Sequence, residues 1–127
     1  MITALALAFL LQSAYPVTTG KAYKFERIVD GVYYATATGT MVTGSNNVVI
    51  AGSRDVLVVD TGTSPAAARA FIEDLKLITA KPVRYVVNTH FHYDHTDGNQ
   101  GRRELDGFES HTCGLNKKPE QLKAALV

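Results

Sequence analysis

Tryptophan is absent from the 127 residues, and a single cysteine, Cys113, stands alone. One thiol cannot close an internal disulfide, so the fold is not a disulfide scaffold. Charge of one sign is also missing: 13 Lys and Arg against 12 Asp and Glu leave a net charge of +1. That balance gives no electrostatic footprint for nucleic acid. No apolar run reaches the ~20 residues a spanning helix needs, so no stable membrane span is expected. Residues 1–20 carry no charged side chain at all. Within them, ITALALAFLL from Ile2 to Leu11 is almost wholly apolar. Its length suits the apolar region of a secretory signal peptide, and residues 1–20 are read as one. The exported protein is then expected to be secreted or periplasmic. No Lys or Arg precedes the run, and the cleavage point between about Tyr15 and Lys21 is not marked.

What is present is an ordinary globular composition, 46% hydrophobic and 20% charged, at a length that suits one domain. From Phe25 the chain reads as β structure. Phe25-Glu26-Arg27-Ile28-Val29 and Val32-Tyr33-Tyr34-Ala35-Thr36-Ala37 flank Asp30-Gly31, a hairpin signal. Val48-Val49-Ile50 and Val56-Leu57-Val58-Val59 are short apolar runs that predict a second hairpin, buried on both faces. The period then changes. Ser64 suits a helix N-cap and Pro65 the first helical position. Ala68, Phe71, Ile72, Leu75 and Ile78 recur at helical spacing up to the stop at Lys81-Pro82. Val83 to Asn88 predicts another strand, so a helix lies between two strands and an α+β sheet with packed helices is expected. From Gly101 the pattern weakens, and residues 101–127 read as a divergent tail with a short helix from Pro119 to Leu126.

Three of the four histidines lie within six residues, in Thr89-His90-Phe91-His92-Tyr93-Asp94-His95. Residues two apart on an extended segment point the same way, so His90 and His92 can face one metal ion. A turn toward Asp97-Gly98-Asn99 would bring Asp94 and His95 to a second position. Crowded imidazoles repel when protonated and are costly when buried dry; a cation removes both problems. Imidazole with carboxylate suits Zn²⁺, as one or two ions, with Mn²⁺ or Fe also compatible. A metal-bound water has its pKa lowered toward about 7, which makes hydrolysis the natural chemistry. Asp94 is the candidate catalytic residue, holding the second metal or orienting the attacking water.

These residues resemble the metallo-β-lactamase superfamily. The likeness rests on His90, His92, Asp94 and His95 in VVNTHFHYDHTDGN, supported by Val58-Val59-Asp60-Thr61-Gly62. It covers roughly Phe25 to Gln100, so residues 21–100 correspond to the N-terminal half of the family domain. The resemblance implies an αββα sandwich, here incomplete, with a dizinc site at the sheet edge. It implies that His90 and His92 bind the first zinc, that Asp94 and His95 bind the second, and that Asp60 steadies the ligand loop without binding metal itself. It further implies a zinc-dependent hydrolase in which a metal-bound hydroxide attacks an ester, thioester or amide (lactam) carbonyl of a small-molecule substrate. The family's later His and Asp ligands have no counterpart after Gln100; His111 lies in no later family motif, and Cys113 reads as a free thiol. The alternative reading is a truncated, non-catalytic chain with a partial metal site. It would serve as an interaction or dimerising module, self-associating through an exposed sheet face.

Overall fold

The computed structural model describes residues 15–103 and 109–110. The apolar run from Ile2 to Leu11, His111, Cys113 and the expected helix from Pro119 to Leu126 lie outside them. The described chain forms one seven-stranded sheet in the order β1-β2-β3-β4-β5-β6-β7. The strands are β1 (Val17–Thr19), β2 (Tyr23–Val29), β3 (Val32–Ala37), β4 (Asn47–Ala51), β5 (Val56–Val59), β6 (Val83–Val87) and β7 (Glu109–Ser110). Three helices accompany them: α1 (Pro65–Leu75), α2 (Tyr93–Thr96) and α3 (Asn99–Arg103).

β1 to β5 run as an antiparallel meander, and β5, β6 and β7 are parallel. Both expected hairpins are present. Gly31 supplies the positive φ of 75° that the β2–β3 turn requires. Tyr23 and Phe25 alternate with exposed Lys24 and Glu26, which puts one face of β2 into the core. Val49, Val56, Val58 and Val86 continue that buried face across the sheet. The expectation of burial on both faces holds for the centre of β5, where Leu57 is also buried. It does not hold for β4, whose Val48 and Ile50 are only half-buried.

α1 lies on the buried face. Ser64 caps it, its hydroxyl accepting from the Ala67 amide at 3.1 Å, and Pro65 opens the first turn. Phe71 meets Tyr23 and Phe25 edge-on at ring-centroid distances of 5.0 and 5.6 Å. The helix ends at Leu75, earlier than the apolar spacing predicts. The amides of Leu77 and Ile78 donate three residues back, to Asp74 and Leu75, which tightens the chain out of α-helical register. Ile78 still packs against the core, but from the loop.

A buried carboxylate fastens α1 to the sheet. Asp74 accepts the backbone N–H groups of Lys21, Ala22 and Tyr23 at 2.9, 2.7 and 2.8 Å. Gly20 runs so close that a Cβ there would collide with the Asp74 side chain. No helix among the described residues is long and apolar enough to cross a membrane. Beyond Gln100, where the sequence pattern weakens, α3 packs on α1 and β7 joins the parallel edge of the sheet.

Candidate metal centre

The chemistry-bearing residues gather at the carboxyl ends of the parallel strands β5 and β6. β5 ends in Asp60-Thr61-Gly62, and β6 leads through Asn88-Thr89 into His90. Brought side by side, the two segments clasp. The Thr61 amide donates to the His95 carbonyl at 3.0 Å, and the Gly98 amide donates to the Gly62 carbonyl at 3.1 Å. A side chain at residue 98 would run into the Thr61 carbonyl, so glycine is required for this approach. The His95 carbonyl also accepts from the Thr61 hydroxyl at 3.0 Å and the Asn88 amide at 2.7 Å. The Asn99 side-chain Nδ2 donates to Asn88 Oδ1 at 2.9 Å and completes the brace.

Asp60 is the hub. It is buried, and its backbone has φ 62°, the only positive φ of a non-glycine among the described residues. Its carboxylate accepts the Thr89 amide at 2.8 Å, the Thr89 hydroxyl at 2.9 Å and the His95 Nδ1 proton at 2.7 Å. These contacts decide where protons sit. The Thr89 hydroxyl has one hydrogen, and the Asp60 carboxylate, which can only accept, takes it. His90 Nδ1, 3.0 Å from the same Thr89 oxygen, must then donate to it. His90 and His95 therefore both carry hydrogen on Nδ1, and as neutral imidazoles they present a lone pair on Nε2. A carboxylate holding the far nitrogen of an imidazole is the usual support for a metal-binding histidine.

Those lone pairs meet further donor atoms. His90 Nε2 lies 3.0 Å from His92 Nδ1, and His95 Nε2 lies 3.4 Å from Asp94 Oδ2. Two ligand atoms on one tetrahedral zinc stand about 3.3–3.5 Å apart, so each pair has a spacing close to that of a shared cation. The second pair sets two acceptors face to face, an arrangement that calls for a proton or a metal between them. The rings are close as well: His90 lies 4.5 Å from His92 and 4.0 Å from His95, between centroids. The donor set thus fits zinc, but only by pairs. Among the described residues no group of three or more His, Cys, Asp or Glu converges as a cage.

Of the four predicted ligand residues, His90 stands beside both His92 and His95, and Asp94 beside His95; the Asp60 carboxylate meets His95 on its Nδ1 side. Asp94 and His95 leave the extended segment because α2 starts at Tyr93, and that turn carries the His95 ring back to His90. Sequence reading missed Asn47, Asn88, Thr89 and Asn99. Their common signal is a polar residue at the very end of an apolar strand or at the start of a turn. Phe91 and Tyr93 are largely exposed beside the ligands, with Phe91 edge-on to His92 at 4.9 Å.

Comparison with known proteins bears on the fold and the family. The chain is 36% identical over 50 residues to a linear primary-alkylsulfatase of Pseudomonas sp. (strain ATCC 19151); the match spans 39% of this chain and 10% of that protein. Its fold resembles the crystal structure of a metallo beta lactamase from Erythrobacter litoralis with beta mercaptoethanol in the active site. The TM-score is 0.63 at 21% identity, covering 75% of this chain and 43% of the other. The chain therefore spans less than half the length of the solved relative and a tenth of the curated one. The sequence profile of a superfamily that includes hydrolases matches residues 40–116, from the loop before β4 past β7 and beyond the Gln100 limit drawn from motifs alone. That match takes in most of the chain and both clasped segments, and the protein belongs to the metallo-beta-lactamase superfamily.

Proposed function

We propose that this chain carries the metal-binding edge of an exported zinc-dependent hydrolase acting on the ester, thioester or amide (lactam) bond of a small molecule. The observation that carries the reading is the pair of donor sets whose lone pairs are fixed by Asp60 and Thr89. His90 Nε2 with His92 Nδ1 would hold one ion, and Asp94 Oδ2 with His95 Nε2 a second. Zinc, when bound, supplies Lewis-acid polarisation of the scissile group and a water activated at neutral pH. The protein's own part is to orient. Asp60 and Thr89 lock the imidazoles of His90 and His95, and the brace on the His95 carbonyl fixes the loop. Asp94, whose Oδ2 lies 3.4 Å from His95 Nε2, would hold a proton at that edge. The likeness to an alkylsulfatase adds sulfate esters to the substrate classes worth assaying.

A second reading has its own support. Each donor pair fills only half of a tetrahedral shell, and the described residues supply no third ligand. Such a chain would bind metal weakly and act as a non-catalytic module. Ile28, Val29 and Tyr34, large side chains exposed on β2 and β3, would then favour self-association. Zinc titration of the purified chain against His92→Ala and Asp94→Ala separates the readings when paired with a panel of chromogenic lactam, thioester and sulfate-ester substrates. The hydrolase reading expects zinc uptake that both substitutions weaken, together with turnover. Uptake without turnover favours the module. Equal affinity in all three proteins removes these residues from the site.

A further inference from the structure

We propose that Asn47 is a positioning residue for the metal edge: its side-chain amide holds Asp60 in its left-handed turn, and that turn aims the Asp60 carboxylate at Thr89 and His95. The last step, toward zinc, rests on the function proposed above.

Asn47 opens β4, thirteen residues before Asp60, and its side chain is almost fully buried. On one side it continues the sheet, paired with Ala35 of β3. On the other side the β4–β5 ladder stops at Val48 and Val59. The Asp60 carbonyl, turned by the positive φ, has left that ladder. Asn47 supplies the missing donor: Nδ2 donates to the Asp60 carbonyl at 2.8 Å and lies 3.4 Å from the Val59 carbonyl. The opposite amide orientation would set oxygen against two carbonyl oxygens, so the assignment follows from chemistry.

Two features make packing alone a poor explanation. A core-facing strand position is served best by an apolar β-branched residue, as Val49 and Val58 show nearby. Among the described residues, the buried Oδ1 of Asn47 also has no hydrogen-bond partner. A buried amide satisfied at one end weakens a core. Its return is the backbone of Asp60, which as a non-glycine residue disfavours positive φ. Without the Asn47 donor, the Asp60 carbonyl would be buried unpaired unless the turn relaxed toward an extended conformation. Relaxation would swing the carboxylate away from Thr89 and His95 and free both imidazoles to change tautomer.

The test reads tautomers directly, without metal. In ¹⁵N-labelled wild type, long-range ¹H–¹⁵N correlation should show His95 with its proton on Nδ1. Asn47→Val, which suits the strand but cannot donate, should give mixed or reversed His95 tautomers and about 10-fold or greater loss of zinc affinity. Asn47→Ser, too short to reach the Asp60 carbonyl but small enough to fit, should do the same and serves if the valine variant does not fold. An unchanged His95 tautomer in either folded variant, with only the melting temperature altered, overturns the proposal. If wild type takes up no zinc while the tautomer still follows residue 47, the positioning role stands and the zinc reading falls.

Discussion

Two buried aspartates divide the molecule between them. Asp74 and Asp60 are 6% and 4% exposed, and each carboxylate accepts three donors. Asp74 takes all three from main-chain amides, which carry the contact no further. Asp60 takes one from an amide, one from a hydroxyl and one from an imidazole, and through them it reaches two more lone pairs at the surface. The difference teaches that burial and saturation do not by themselves tell a structural carboxylate from a functional one. What tells them apart is whether the donors have a second end.

Three substitutions test that contrast. The largest effect on folding is expected from Asp74→Ala, which strands three amides. At about 1–3 kcal/mol for each buried unsatisfied group, urea unfolding should show a loss of about 3 kcal/mol or more. Zinc bound per folded molecule should not change. Asp60→Asn should do the reverse. Asparagine tolerates the left-handed backbone, so stability should hold, while calorimetric titration should show zinc affinity lower by about 10–100-fold. If the Asp60 variant instead unfolds as readily as the Asp74 variant with its zinc affinity intact, the contrast is broken. The smallest effect belongs to Ser64→Ala, which removes the hydroxyl that caps α1 through the Ala67 amide. A loss of about 1 kcal/mol in urea unfolding, with zinc affinity unaltered, is expected.

Much of this could be read from local sequence. The two hairpins announce themselves through Asp30-Gly31 and the valine runs. α1 follows from Ser64, Pro65 and the spacing of Ala68, Phe71 and Leu75. His90, His92, Asp94 and His95 lie so close in sequence that only their facing was in question. The rest depends on partners far away in the chain. Nothing near Asp74 hints that it will meet Ala22, 52 residues earlier. Asn47 looks like a turn residue until Asp60 folds against it. Thr89 looks like strand composition until its hydroxyl is seen between Asp60 and His90. The half-exposed face of β4 escaped for a related reason, since a short apolar run reads the same whether one face or both are covered.

The sheet starts as a meander and finishes in parallel strands joined across α1, and this has a consequence in time. The meander closes over short stretches of chain, whereas Asp60 meets His95 across 35 residues. The entropy lost in closing a loop grows with the length of the loop, so the hairpins can form cheaply and early. The two aspartates are later clasps: Asp74 shuts once α1 meets the sheet 52 residues back, and Asp60 only after the crossover to β6 is complete. A nascent or refolding chain would thus acquire its scaffold first, and in a half-folded intermediate the neighbouring imidazoles would still lack the carboxylate that orients them.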